Sequence, residues 1–543
     1  MKKMSKILFV LMLALALLFT AACGNDDTAA PPVDDAPPPV VDADPEDDED
    51  PVEPPPAAAG GGEVVWVQPS DPPSLDPLLG TNDAQTNEAT AQMFERLTYY
   101  RDDLTIGPLL ATSWERLDPY VWEFTLREGV YFHDGSLFTA EAVKMSLEWL
   151  LDEENASPRA NILDMIIDIE IIDDFTIQLT TEMPFGPLAG HLAHGAGSIA
   201  SVASLEEAAA GGRTIGENPV GTGPFIYYAR EAGDHVRWVR NDNYWGDVPN
   251  IDSLVFRTVP EPATRIAMIE AGEAHGGRLD PRSAAIAQAI PGLDFFEVQS
   301  ASVDYIGFNM QRPPLDNIYV RQAITMAINK SDILMLIEGN GIEAVSTLAP
   351  HVWGSPPTAQ LNTLDFDPEA AMALLEEQGL GDGFELTIWY NDGNALRQGI
   401  AELVQHNLAQ VGITVSIESI EWGAYLARTG AGEHDMFILG WTTLTADADY
   451  GLFPLFHSSL LGEPGNRTFL EDAEVDRLLE EARGSTDENE RLALYAELVQ
   501  LIIDLAPTVN LYHQKFIAPL NGITGYRHDF NGVPDFRNVF IVD

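Results

Sequence analysis

The chain has 543 residues, and Asp plus Glu outnumber Lys plus Arg by 85 to 29, which leaves a formal charge of −56. So acidic a chain repels phosphate backbones, which argues against nucleic-acid binding, while 45% hydrophobic residues suffice for two or three buried cores. The single cysteine excludes a disulfide framework, a cysteine-ligated zinc site and a CxxC redox pair.

At the N-terminus Lys2, Lys3 and Lys6 precede an uncharged, largely apolar run from Ile7 to Ala22. The run is short for a membrane span and predicts a secretory signal over 1–22. Thr20-Ala21-Ala22-Cys23-Gly24 resembles the lipobox of bacterial lipoproteins, so Cys23 is the expected lipidation site. From Gly24 to Gly62 there are twelve acids and ten prolines but no base and no aromatic residue. Such a segment has too little apolar surface to offset its ordering entropy, and it predicts an acidic, Pro-rich disordered stalk over 23–62. The remaining body keeps 73 acids against 26 bases, with Lys144, Lys330 and Lys515 its three lysines.

Along the body, Tyr120 to Val130 reads as a hairpin-type strand. Thr139 is placed to cap a helix running to Leu151, with Ala142, Val143, Leu147 and Leu150 on its inner face. The segments 221–257 and 518–543 are strand-rich and poor in helical pattern, which suggests one lobe assembled from distant parts of the chain. The stretch 367–441 is the most regular. Asp367-Pro368 predicts a helix start and Gly379 its end, and Phe384, Leu386, Ile388 and Tyr390 alternate as a strand. A helix with Leu396, Ile400, Leu403, Val404 and Leu408 follows, then a strand from Ile413, a short helix after Trp422 and a buried strand at 436–439. Strand, helix, strand, helix, strand predicts an α/β lobe with a helix-covered sheet.

Several chemistries are missing. No glycine is followed by lysine, so a P-loop is excluded, and HExxH and GxSxG are absent. His191 and His194 form an HxxH, read first as loop or packing residues, and no metal site is assigned. His133-Asp134-Gly135 reads as a turn rather than a catalytic group.

Longer matches point to a family. Leu110-Ala111-Thr112-Ser113-Trp114-Glu115 leads into Trp122-Glu123-Phe124-Thr125-Leu126-Arg127, then Phe132-His133-Asp134-Gly135 and Phe138-Thr139-Ala140. With Ser74-Leu75-Asp76-Pro77, 219–225, Val320-Arg321-Gln322-Ala323 and Val411-Gly412-Ile413, this resembles the extracytoplasmic solute-binding proteins (family 5) of peptide-type ABC importers. The resemblance covers nearly all of 63–543. It implies an α/β periplasmic-binding-protein-like hinged clamp: a composite lobe over 63–98, 217–307 and 510–543, an extra α+β lobe over 99–216, and a closing α/β lobe over 308–509. It also implies a monomeric, non-enzymatic protein without cofactors, held outside the cell membrane by its lipid, that binds a small solute and docks on a permease with separate ATPase chains.

In the family, the segment Gly440 to Tyr450 lies where the pocket wall grips the ligand, which implicates Trp441, Thr442 and Thr443. Dipeptide binders place an aspartate three residues after that tryptophan to pair with the ligand ammonium. Here that position is Leu444, and Asp447 is the candidate replacement. Arg397 and Arg467 are candidates for a ligand carboxylate. Trp422 and Tyr390 are candidate pocket aromatics, Thr222 and Gly223 a turn offering backbone donors, Asn82 and Asp83 contacts after the first strand, and Tyr305 and Asn309 hinge or pocket residues. The 440–450 run is most similar to the glutathione and oligopeptide branches, so a short peptide or glutathione-like ligand is expected. A nickel or metal-chelate carrier and a secreted hydrolase are the alternatives.

Overall fold

Alternating β-branched and aromatic residues build the sheets. In Glu63–Gln68, Val64 and Trp66 are buried in the core that also takes Leu254 and Phe256 from Ser253–Thr258, the strand paired parallel to it. Antiparallel His235–Arg240 and Phe225–Glu231 extend this sheet on one side, and Gly276–Gly277 lies on the other. The computed structural model describes residues 61–542 apart from Asn82, Asp103, Glu463 and Pro464, so the predicted signal, Cys23, nearly all of the stalk and Asn82 lie outside it. No helix among the described residues is long and apolar enough to cross a membrane.

The closing lobe follows the strand–helix alternation of its sequence. Phe384–Asn391, Ile413–Ile420 and Met436–Thr442 run parallel. Ala395–Gln410 crosses between the first two and buries Ile400, Val404 and Leu408 against them. Asp367 caps Pro368–Glu377 by accepting from the Ala370 N–H, as its position predicts. Thr139 stands at the cap position of Ala140–Leu151 but makes no side-chain cap bond.

One strand ties the two main lobes together. The first half of Thr508–Leu520 pairs with Ser302–Phe308 and Gly341–Glu343 in the closing-lobe sheet, and its second half pairs with Asp294–Gln299 and Gly276–Gly277 in the composite sheet. The chain passes from composite to closing sheet a second time at Ser300-Ala301, between Asp294–Gln299 and Ser302–Phe308. The Ser300 N–H donates to the Gln514 carbonyl at 3.0 Å, and His513 Nδ1 lies 2.9 Å from the Ser302 carbonyl, so the crossings are hydrogen-bonded to each other. Pairing therefore assigns 302–308 and 508–514 to the closing lobe, whereas the sequence boundaries stood at 307/308 and 509/510. The difference arises because Thr508–Leu520 runs unbroken through the joint and only Ser300-Ala301 interrupts the other crossing, so sequence offers no strong turn signal at either place.

The extra lobe is a four-stranded antiparallel sheet of Ala111–Arg116, Val121–Leu126, Thr176–Thr181 and Ile166–Asp173, covered by Ala140–Leu151. Its Phe124 and Leu147 share one continuous core with Trp66 and Phe256 of the composite lobe. A further core joins Leu452, Leu479 and Tyr495 of the closing lobe to Leu104 and Phe530 from the other two lobes.

Close packing at the joint is tested at Gly307, where an added Cβ would lie 2.2 Å from Cε1 of the buried Phe437 ring. Gly307→Ala should lower the unfolding free energy by about 1–3 kcal/mol, the cost of overpacking a filled core, as measured by urea denaturation.

Candidate ligand site between the lobes

Parallel strands end with their carbonyls pointing at the next element, and ligands of open α/β sheets collect outside those carboxyl ends. In the closing lobe this edge is formed by Asn391, Ile420 and Thr442, the last residues of the three parallel strands. Thr442 and Leu444 line a cavity of about 210 Å³, whose facing wall includes Asp83, Arg278, Asp529 and Asn531. Asn531 spans the two sides, because its Nδ2 donates to the Leu444 carbonyl at 3.2 Å, while its Oδ1 is buried without a partner.

The charges around this cavity are individually managed. Arg278 pairs with the buried Glu88, whose carboxyl is pushed up by desolvation and pulled back by the guanidinium. Asp529 Oδ1 accepts from the Asn531 and Val533 N–H groups at 2.8 and 2.9 Å. Desolvation nonetheless raises its pKa to about 6, against the smaller effects of those bonds and of Arg96. Asp83 caps Ala84–Thr90, with Oδ1 accepting from Thr86 N at 3.0 Å.

Of the residues proposed from sequence, Asp83 and Thr442 meet across this cavity. Thr443 is buried, and its N–H donates to the Ala301 carbonyl at the lobe crossing. Trp441 stacks on Tyr450 at 5.5 Å and donates its indole N–H to the Tyr450 carbonyl, which fixes the strand end beside the cavity. Tyr390, next to last in its strand, is half-buried against the closing-lobe core. Trp422, 47% exposed, opens the helix Trp422–Gly430 and stacks on Tyr425 at 5.9 Å.

Several candidates have structural partners instead. Both Asp447 oxygens face Arg491 Nη2, at 2.8 and 3.0 Å, and Asp447 also caps Ala448–Phe456. Its charge is thus paired with Arg491 inside the closing lobe. Arg397 donates to Asn391 Oδ1 at 2.8 Å and lies 3.5 Å from Asp304, so it is a largely buried ion-pair member at the strand edge rather than a solvated arginine. Arg467 is buried and donates from Nε to Thr429 Oγ1. Asn309 Nδ2 holds the carbonyls of Gly432 and His434, and Tyr305, 2% exposed, packs edge-on against Phe437. Thr222 Oγ1 donates to Glu95 at 2.8 Å. Gly223 sits in a tight turn where an added Cβ would approach the Met93 carbonyl to 2.6 Å. His133 braces this turn, with Nε2 3.0 Å from the Gly223 carbonyl.

The HxxH pair is interior. His191 Nδ1 is 2.7 Å from the Ile162 carbonyl and His194 Nδ1 accepts from the Ala196 N–H. Burial drives the His191 pKa down to about 4, although Asp449, 3.9 Å away, favours the charged form. Arg96, Arg278 and the pair Asp529 and Asn531, the polar residues sequence reasoning missed, come from three separate chain segments with no shared motif. The signal that bears on them is scarcity, since each arginine stands out in a body of 26 bases.

A family model for bacterial extracellular solute-binding proteins, family 5, middle region, matches residues 105–462. The chain is 30% identical to the dipeptide-binding protein of Escherichia coli (strain K12) over 509 residues, covering 88% of this chain and 94% of that protein. It is 31% identical to the glutathione-binding protein GsiB of Pectobacterium atrosepticum, covering 83% and 89% of the two chains. Among solved structures, HbpA2 from Haemophilus parasuis superposes with a TM-score of 0.80 at 29% identity, covering 88% of this chain and all of that one. The periplasmic binding protein DppA from Helicobacter pylori, in complex with the peptide STSA, superposes with a TM-score of 0.75 at 30% identity, covering 89% and 99%.

Two measurements check these assignments. Asp447→Asn removes the counter-charge of the buried Arg491 and should destabilise the fold by about 3–5 kcal/mol in chemical denaturation; a fully stable variant would return Asp447 to the ligand. For His191 the folded pKa lies below the unfolded one. Unfolding therefore takes up a proton between pH 6.5 and about 4, and stability falls as pH falls through that window. His191→Asn should remove about 2 kcal/mol of the stability lost between pH 7 and pH 5, read from denaturant melts of both proteins at the two pH values.

Proposed function

The chain belongs to the family 5 bacterial extracellular solute-binding proteins, and from that premise we propose that it is the lipid-anchored binding subunit of an ABC importer for small peptides or peptide-like solutes. Cys23 carries the lipid, the acidic stalk over 24–62 spaces the body from the membrane, and the two main lobes close on a di- or oligopeptide or a glutathione-like ligand. Closure presents a new joint surface to a permease, and the hydrolysis of ATP belongs to a separate chain.

The observation that carries this reading is the cavity bridged by Thr442 and Leu444 on one lobe and Asp83, Arg278, Asp529 and Asn531 on the other. A wall offering both acids and guanidinium groups suits a zwitterion, because each ligand charge leaves water only to meet an opposite one. Leu444 supplies no charge, so a ligand ammonium is met from the composite lobe, by Asp83 or Asp529. The pairing of Asn531 with the Leu444 carbonyl gives closure a direct hydrogen bond across the cleft. Relatives named for a dipeptide and for glutathione support the same solute class.

The chain from Ala57 onward forms one compact unit and is the material for the test. Dipeptides, tripeptides and glutathione are screened by thermal shift, with native mass spectrometry for co-purified solute. A true ligand at a hundred times its Kd adds about 2.7 kcal/mol to the native state and raises the melting temperature accordingly. Absence of a shift with all three classes, or turnover of a peptide by the pure protein, would sink the reading. For the anchor, Cys23→Ser should move the full chain from the membrane fraction to the soluble one.

A further inference from the structure

A second cavity, about 430 Å³ in volume, lies between the composite and extra lobes. It shares Ala91, Arg96, Tyr100, Asp529 and Val533 with the interlobe cavity, so the two are adjoining chambers with Arg96 and Tyr100 where they meet. Four arginines line the larger chamber: Arg96, Arg101, Arg527 and Arg537. In a body with 73 acids and 26 bases, that convergence is far from the average surface.

Four acids line it as well, and each already has its donors. Glu95 accepts from Thr222, Tyr244 and Trp245 at 2.7–2.8 Å. Asp102 pairs with Arg527 and Asp535 with Arg537. Asp529 is held by two backbone N–H groups. Of the arginines, Arg101 donates to Thr105 Oγ1 and the Ile106 carbonyl. Arg96 is left over. Among the described residues its guanidinium has no ion pair, and its Nε is sealed from solvent without an acceptor. Desolvation pulls its pKa down, with Asp529 the strongest influence in the other direction. A desolvated guanidinium that feels Asp529 and Glu95 only at longer range, with no direct ion pair, keeps donors for an anion that arrives to meet it.

We propose that the larger chamber is a ligand subsite for a carboxylate, bound by the Arg96 guanidinium at the passage from the interlobe cavity. A guanidinium presents parallel N–H donors that match a carboxylate in two-point contact, and the chamber is large enough for a ligand arm to follow. The transported solute is thus a peptide-like molecule whose α- or side-chain carboxylate reaches the chamber. This rests on the reading of the interlobe cavity as the ligand site, and the experiment separates the two.

Binding of Ala-Glu, Ala-Gln and Ala-Gln-amide is measured by calorimetry on the full-length protein and on Arg96→Gln, with thermal shift by millimolar glutarate alone as a probe that needs no peptide site. The expected result is at least a tenfold loss on Arg96→Gln for the carboxylate-bearing probes, with the amide unchanged. Loss for Ala-Glu alone assigns the side-chain carboxylate, and equal loss for Ala-Gln assigns the α-carboxylate. Arg96→Lys, which keeps the charge but not the fork, should fall between, and it keeps the test open if Arg96→Gln folds poorly. If no peptide binds yet glutarate stabilises the wild type in an Arg96-dependent way, the peptide reading fails and the chamber stands. If neither probe set distinguishes the Arg96 variants from wild type, or the amide loses as much as the acids, the subsite is overturned.

Discussion

The strand Thr508–Leu520 is the constraint on which the rest depends, because it completes two sheets at once. Buried backbone groups must stay paired, so neither half of the strand can leave its sheet without exposing unpaired donors and acceptors. The two sheets are joined through the short crossing at Gln514-Lys515 and its neighbour at Ser300-Ala301. The cavity sits beside that crossing, with Phe516 just beyond it and Asp529 and Asn531 a little further on. A small rotation at the joint therefore changes the cavity more than it changes either core.

Charge is the second organising theme. A body with so large an acid excess gains from giving its few arginines specific partners in partly buried places, where a pair is worth more than on the surface. Arg483 holds Asp449 with two nitrogens at 2.8 and 2.9 Å, and its carbonyl accepts the Gly186 N–H of the extra lobe. Arg491 holds Asp447 and lies 4.4 Å from the Trp353 ring centroid. These pairs stiffen the helical part of the closing lobe where it meets the extra lobe. They also give acids that look available in sequence a partner within the chain.

Local rules made much of the fold legible. Asp367-Pro368, the alternation from Phe384 to Tyr390 and the apolar face of Ile400, Val404 and Leu408 each depend on near neighbours, and each took the expected form. The inner face of Ala140–Leu151 did so too. What sequence could not show were choices made between distant segments. Asp447 lies 44 residues from Arg491, and nothing in its own neighbourhood signals that partner. Asp83 was named because it follows the first strand and Thr442 because it lies in the run 440–450 of the resembled family, and both line one cavity. Asp529 and Asn531 occupy a loop with no periodicity, so their role depends on a placement fixed by the strand before them.

The shared strand also bears on the order in which the molecule can form. His513 and the Ser302 carbonyl it meets are separated by 211 residues, and the other closing-lobe strands likewise precede 508–520 in the chain. During synthesis every other strand of both large sheets is made before the one that joins them. Contacts of such long sequence separation form slowly, since loop closure comes before any gain. The growing chain thus lacks its central joint until the last strand of the two large sheets has been made.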